Sequence, residues 1–347
     1  MNREELANRM PGRRISQICG ASRDIQRTIA AWTDLMKVGP WLILTSSPQT
    51  IANVLVNNKP LPEGADFHSF CALAMLGNAQ LEFNQPLWGD EALPAFLTKN
   101  GEAWHHFKEH IAPGADVLKT GRNYLERKGL DIVSYGEIDE DRYLNVATYG
   151  PVGVNLELGN TGRISFPPEN QRNWPEGDTS ALAASSRTFQ VGDLTFVTDC
   201  LDKALAAWVK YIEAGPWQVV TVDETLLADA VIDGKRATGK FSYRRATCQW
   251  GDKRITVLER GYGIPVIAEY AAQSGRGMHH IKQRVSAAEF DARLDEFASH
   301  GIGVRFGGRL GNERFACLDT EKVLGVRVGI SDFGDATTGK ETVYPKE

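Results

Sequence analysis

Gly101-Glu102-Ala103-Trp104-His105-His106-Phe107-Lys108 is echoed far downstream by Gly275-Arg276-Gly277-Met278-His279-His280-Ile281-Lys282. Two Gly-x-x-x-His-His-apolar-Lys segments in one chain point to a duplicated unit. Successive side chains of a strand face opposite sides, so only one His of each pair is expected to enter a shared hollow. His106 facing inward can hold a metal, and His105 is then expected to face away without a role. If His106 faces outward, the pair is only a strand with one wet side.

Outward from that pair, more of the text repeats. From about Asp24 to Val38 the apolar residues Ile25, Ile29, Trp32 and Met36 recur at helical spacing, and Gly39-Pro40-Trp41 stops the pattern. A left-handed glycine cap followed by proline is the expected stop. Downstream, Leu201, Leu205, Trp208 and Ile212 run into Gly215-Pro216-Trp217 in the same way. The segment Gly77 to Phe83 corresponds to Gly251 to Val257, so Glu82 falls opposite Thr256. After the His-His pairs, Arg142-Tyr143, Thr148 and Gly153-Val154 match Arg314-Phe315, Thr320 and Gly325-Val326. Ser286 to Glu289 reads as a capping box before a second helix in the later copy.

Each copy thus reads strand, helix, strands, then strand, helix, strands: an α+β chain of tandem βαβββ units. The expected boundaries are a first module at 13–164, a linker at 165–186, a second module at 187–332 and a tail at 333–347. The linker expectation rests on Pro167-Pro168, Pro175-Glu176-Gly177 and the Ala/Ser-rich run from Ala181 to Ser186.

A chain of 347 residues can bury two cores. A formal charge of -5 without a basic run argues against a nucleic-acid surface. Cys19, Cys71, Cys200, Cys248 and Cys317 are scattered and odd in number, which fits reduced thiols rather than a disulfide frame or a thiolate zinc site. No apolar run spans a bilayer, and Met1 to Arg14 lacks the apolar core of a signal peptide. A cytoplasmic protein is expected, with a small-molecule substrate as partner, no nucleic acid or membrane, and a homodimer as the assembly to test.

The run near Gln17, the Gly-Pro-Trp helix stop, Leu81-Glu82-Phe83-Asn84-Gln85-Pro86, the segment Gly101 to Lys108, and Gly153-Val154-Asn155-Leu156-Glu157-Leu158 together resemble the vicinal-oxygen-chelate superfamily (glyoxalase, bleomycin-resistance and extradiol-dioxygenase proteins). The nearest likeness is to its methylmalonyl-CoA epimerase-like branch, and it covers nearly the whole chain as two modules with curved mixed sheets. The resemblance implies one divalent ion (Zn, Mn, Co or Ni) on Gln17, Glu82, His106 and Glu157. Gln17 departs from the His of the epimerase branch and makes the set similar to the Gln/Glu/His/Glu combination of glyoxalase I. One imidazole, two carboxylates and an amide oxygen suit such an ion without a thiolate. Glu82 and Glu157 sit in apolar strands, where an unpaired carboxylate is costly.

Alternation places Cys19, Gln80, Asn84, Lys108 and Asn155 on the same walls; Gln80, Asn84, Lys108 and Asn155 are expected to orient substrate. The downstream copy offers Asp193, Thr256, His280 and Gly329 at the ligand positions, a poor cation site. The resemblance implies a metal-dependent isomerase, epimerase or lyase, glyoxalase-like, that removes a proton beside a carbonyl through a metal-stabilised enediolate. Glu157, helped by Glu82, is the expected base. The alternatives are a non-catalytic small-molecule binding or resistance protein, and a ring-cleaving dioxygenase, whose iron needs two His and a carboxylate.

Overall fold

The computed structural model describes residues 1–89, 92–112 and 115–346. Asp24 accepts a hydrogen bond from the Arg27 N–H and opens a helix whose residues Ile25, Ile29, Trp32 and Met36 are all buried. The residue that turns the chain out of this helix is Lys37, at φ 56°, rather than Gly39. The left-handed turn is needed directly after the last helical residue, two positions before the glycine. Glu213, at φ 57°, does the same in the second copy.

From its start the chain runs through α1 (Arg3–Arg9), β1 (Ile15–Ala21), α2 (Ile25–Met36) and β2 (Trp41–Ser46). A hairpin of β3 (Ala52–Val56) and β4 (Lys59–Pro60) precedes β5 (His68–Met75) and β6 (Gln80–Trp88). Then come α3 (Ala92–Asn100), β7 (Ala103–His110), α4 (Val117–Lys128), β8 (Ile132–Ile138) and β9 (Asp141–Val146). After them follow α5 (Tyr149–Val152), β10 (Asn155–Gly159), β11 (Gln171–Trp174) and α6 (Ser180–Thr188). Two units emerge: Arg13–Phe189, and Met1–Gly12 together with Gln190–Glu347.

In the first unit the strands form one mixed sheet in the order β11-β2-β5-β6-β1-β7-β10-β9-β8-β3-β4. β1-α2-β2-β5-β6 is one βαβββ unit and β7-α4-β8-β9-β10 is the next. β1 is parallel to β6, β7 is parallel to β10, and β1 meets β7 antiparallel at the seam. Alternation divides the side chains cleanly. Ile18, Leu81, Phe83, Trp104, Phe107 and Leu156 go to the helix side, where Trp32 stacks within 5.6–6.2 Å of Phe83, Trp104 and Phe189. Truncating a fully buried tryptophan such as Trp32 costs about 3–5 kcal/mol. Gln17, Glu82, His106 and Glu157 go to the other, concave side.

The second unit repeats this with β12 (Val191–Thr198), α7 (Leu201–Ala207), β13 (Trp217–Asp223), β14 (Leu227–Ile232), β15 (Lys235–Arg236), β16 (Ser242–Trp250) and β17 (Lys253–Tyr262). Its later half is α8 (Pro265–Ser274), β18 (Gly277–Arg284), α9 (Phe290–Ser299), β19 (Val304–Leu310), β20 (Glu313–Leu318), α10 (Glu321–Leu324), β21 (Val328–Ser331) and β22 (Thr342–Tyr344). The sheet order is β15-β14-β19-β20-β21-β18-β12-β17-β16-β13-β22. The expected capping box is present: the Ser286 N–H donates to Glu289 Oε2 and the Glu289 N–H to Ser286 Oγ.

The stretch expected as a linker, 165–186, is folded onto the first unit. β11 pairs with β2, and Ser186 Oγ donates to the Met75 carbonyl at 2.7 Å. In the tail, β22 pairs with β13. The charged N-terminus forms α1, capped reciprocally by Asn2 and Glu5; it buries Leu6 and Met10 and lies with the second unit, where the Gly251 N–H donates to the Met10 carbonyl. No helix among the described residues is long and apolar enough to cross a membrane.

Candidate metal centre

The four strands at the middle of the first sheet, β6-β1-β7-β10, carry one candidate ligand each. Across the seam Cys19 is opposite His106 and Gln17 opposite Lys108. β6 sets Gln80 beside Gln17 and Glu82 beside Cys19; β10 sets Asn155 beside His106 and Glu157 beside Lys108. The register thus has a local two-fold in which Gln17 answers to His106 and Glu82 to Glu157.

The side chains converge as that register requires. His106 Nε2 lies 3.4 Å from Glu82 Oε2 and 3.2 Å from Glu157 Oε2. All four residues are buried, none more than 9% exposed. Gln17 Oε1 is buried without a hydrogen bond, and His106 Nε2 has only the two carboxylates beside it. Orphaned acceptor atoms of this kind are the mark of a missing partner. Cys19 Sγ lies with the Glu82 and His106 donor atoms, all within 4.8 Å of one another. Its thiol, pushed up to about 12 first by burial and then by Glu82, stays protonated.

Of the four residues expected to orient substrate, Gln80, Asn84 and Lys108 touch ligand residues and Asn155 touches His105. Gln80 Oε1 accepts from Gln17 Nε2, which leaves the Gln17 oxygen as its free end. Asn84 Nδ2 donates to Glu82 Oε1 at 2.9 Å. Lys108 Nζ is 3.0 Å from Glu157 Oε1, and Asn155 Nδ2 is 3.5 Å from His105 Nε2. Outer partners of this sort fix the orientation of metal ligands.

His105 does not face away as expected. Its Nδ1 is 2.9 Å from His106 Nδ1. The register slips between Cys19 and Gly20, so that Cys19 pairs with His106 but Gly20 with Trp104. His105 is the extra residue of a β-bulge, where alternation fails. Burial, then His106, holds its pKa down at about 3, so His105 is neutral and can accept the His106 Nδ1–H. Once its Nε2 proton is displaced, His106 presents a lone pair from that atom.

Three further residues were not legible in the sequence. Cys71 Sγ donates to Glu82 Oε1 at 3.3 Å, from the strand beyond it. Asp141 lies 3.3 Å from Lys108 Nζ, and burial of Tyr143 beside Glu157 raises its pKa. Alternation on β5 and β9 would have placed them on the concave face, but not their partners. His68, by contrast, packs on Trp88 at 4.1 Å and pairs with Asp66.

The charges of this cluster do not balance. Glu82, Glu157 and Asp141 stand against the single ammonium of Lys108. Burial favours neutral Glu157, but Lys108 and His106 outweigh it and hold its carboxyl at about 2. Burial also disfavours charged His106, yet the Glu157 carboxylate beside it raises its pKa well above the usual imidazole value. A proton on His106 offsets part of the surplus; a divalent cation would offset all of it. The donor set therefore fits such an ion.

The second sheet carries Asp193, Thr256, His280 and Gly329 at the matching register positions. Its His279, His280 and Cys317 bring donor atoms within 4.8 Å of one another. The surroundings oppose a cation there. Arg327 stands beside His279 and Lys282 beside His280, adding positive charge to the burial that already keeps both imidazoles neutral. The two imidazoles face each other through Nδ1 at 2.7 Å.

No protein-family model and no curated protein matches the sequence. Solved structures do. A triple mutant of 4-hydroxymandelate synthase from Streptomyces coelicolor superposes with a TM-score of 0.61 at 11% identity, over 93% of each chain. A halotolerant catechol dioxygenase gives 0.46 at 12% identity, over 91% of this chain and 86% of that one. Identities this low speak for backbone fold alone, and only the first superposition is strong enough to carry even that. With the two eleven-stranded sheets and their paired βαβββ units, the chain is folded as two tandem vicinal-oxygen-chelate modules.

Proposed function

We propose that the first module is the metal-dependent active site of an enzyme that takes a proton from the carbon beside a carbonyl in a small, oxygen-rich substrate, as an isomerase or epimerase. The observation that carries this reading is the buried, converging set of Gln17, Glu82, His106 and Glu157 with a surplus of two negative charges. A divalent ion held by these four residues supplies Lewis-acid polarisation of the carbonyl.

The protein's own groups divide the remaining work. Lys108 fastens Glu157 and keeps it ionised, which suits a fixed anionic ligand. Glu82 accepts hydrogen bonds from the neutral donors of Asn84 and Cys71, and this reading gives it the proton-carrying role. Its Oε2 and that of Glu157 both lie within 3.4 Å of His106 Nε2, so two carboxylates border one site, the pair of groups that epimerisation needs. His105 and Asn155 keep the His106 ring in one orientation.

A ring-cleaving or related dioxygenase is the second reading, favoured by the backbone likeness to 4-hydroxymandelate synthase. The donor set argues against it: the iron of such enzymes sits on two imidazoles and one carboxylate, whereas this site has one imidazole and two carboxylates. The test is proton NMR of candidate α-hydroxy ketones, keto-sugars and acyl thioesters in D2O, with protein loaded with Mn, Co, Ni or Zn. Exchange beside the carbonyl is expected, and Glu82→Gln should abolish it even at saturating metal. Oxygen uptake without exchange would replace this reading with the second. Ligand binding by metal-free protein, without either reaction, would replace it with a binding protein.

A further inference from the structure

The concave face of the first module continues past the candidate ligands into an apolar patch. On β5, Leu73 is opposite Glu82 and Cys71 opposite Asn84; on β2, Leu44 is opposite Cys71. Directly opposed residues of a ladder share a face, so Leu44, Cys71 and Leu73 look into the same hollow as Glu82. What covers this patch is not a strand. Between β10 and β11 the chain runs from Asn160 to Pro167 without helix or strand, and its Phe166 is buried in one cluster with Leu44, Cys71 and Leu73. Ile164 packs against that cluster, as does Ile138 from β8 on the other arm of the curved sheet. The run therefore bridges the hollow from arm to arm.

Asn160 is its fixed end: Oδ1 accepts from the Arg142 N–H at 2.6 Å, and the carbonyl lies 3.4 Å from Lys108 Nζ. Further on, the Arg163 carbonyl accepts from the Glu140 N–H in the turn between β8 and β9, and the Phe166 N–H donates to the Gln171 side chain at 3.0 Å. The two ends thus meet partners of both carboxylate ligands, since Lys108 holds Glu157 and Cys71 donates to Glu82. With the run in place all four ligand residues are buried, so a substrate has to displace something to reach them. The walls are strands held in ladders; this cover lies outside them and is the part that can lift. The corresponding run of the second module, 332–341, is latched instead. There Arg254 donates across the concave face to Asp193 at 2.6 Å and to Glu313 at 2.5 and 2.9 Å, and Phe333 lies 4.9 Å from that guanidinium.

We propose that Phe166 holds the place of an apolar group of the substrate: the run 160–167 is a lid, and the site takes a carbonyl compound whose aryl or alkyl end replaces Phe166 against Leu44 and Leu73. This rests on the reading of the first module as a carbonyl-activating metal site and narrows its substrate, setting keto-sugars aside. Exchange of one apolar group for another keeps the patch out of water, whereas a sugar in place of Phe166 would leave it wet. The oxygen-bearing end of the substrate then faces Glu82 and Glu157.

The test uses full-length protein, metal-free and zinc-loaded, and two α-hydroxy ketones as probes: phenacyl alcohol, which carries a phenyl ring, and dihydroxyacetone, which has none. Calorimetric titration should show saturable binding of phenacyl alcohol and far weaker binding of dihydroxyacetone. A closed lid lowers the apparent affinity, so Phe166→Ala should bind phenacyl alcohol about tenfold more tightly than the parent, with the gentler Phe166→Leu in between. Bound phenacyl alcohol should speed hydrogen exchange of the 160–167 peptide in the parent. Equal affinity for the two ketones overturns the proposal. So does weaker binding of phenacyl alcohol, or none, in both variants, or exchange at 160–167 that is unchanged or slowed. Failure of the metal reading looks different: the parent retains no zinc, while phenacyl alcohol still binds both metal-free variants.

Discussion

The two concave faces share a backbone register and differ in the sign of their charge. Gln17, Gln80, Glu82 and Glu157 in the first module fall where Asp193, Arg254, Thr256 and Gly329 fall in the second; Lys108 and Lys282 match, as do Asp141 and Glu313. One face gathers three carboxylates around one ammonium, and the other three cations around two carboxylates. A buried charge must be balanced by something. In the second module Arg254, a side chain, does this. In the first, Lys108 and a proton on His106 offset only part of the charge of the described carboxylates, and a divalent ion fits the deficit.

The largest effect expected from this contrast is on stability. Arg254→Met strands Asp193 and Glu313 without their main partner and should destabilise the second module by about 3–5 kcal/mol, read from urea unfolding. A loss under 1 kcal/mol would mean that Arg254 is not the internal counter-ion. Next is an effect on metal affinity. Asn84→Ala, which unpins Glu82, should weaken binding by about 10–100-fold in competition with a chelating dye, while Leu258→Ala at the matching position should leave it unchanged.

A graft sharpens the comparison by failing. Thr256→Glu with Gly329→Glu restores two carboxylates on paper but should create no second metal site by elemental analysis. A Cβ at Gly329 would lie 2.5 Å from the Ala316 carbonyl oxygen, so position 329 cannot present a side chain without moving the sheet.

The smallest effect, on the order of 1 kcal/mol, is in pH dependence. Burial favours protonated Asp193 and Glu313, but the facing cations outweigh it and depress both values. The stability they contribute is present above the ordinary carboxylate range near pH 4 and lost as pH falls below it. Asp141 is the reverse: burial raises it to about 6 against the pull of Lys108. The metal-free first module should therefore weaken as pH rises from about 4 to 6. Hydrogen exchange followed on peptides from β12 and from β9 distinguishes the two directions.

Much of this could be read in the sequence because it rests on alternation. Leu81-Glu82-Phe83 and Leu156-Glu157-Leu158 show a carboxylate pointing away from an apolar face, and the repeated Trp and Gly-Pro-Trp text marks the helix side. What could not be read depends on partner strands. The role of His105 follows from a bulge that exists only relative to β1. Gln80 and Asn84 share a face with their ligands, but whether they orient substrate or pin Gln17 and Glu82 is decided by rotamers. The docking of α1 and the folding of 165–186 are tertiary events, driven by burial of Leu6 and Met10 and by pairing of β11 with β2. A charged N-terminus and a Pro-rich stretch do not announce either.

Metal stoichiometry, measured by elemental analysis after loading and desalting, compares the modules most directly in His106→Ala and His280→Ala. The account requires one divalent ion per chain in the parent and in His280→Ala, and less than a tenth of that in His106→Ala. Two ions per chain in the parent, or loss of the ion in His280→Ala with retention in His106→Ala, would contradict it.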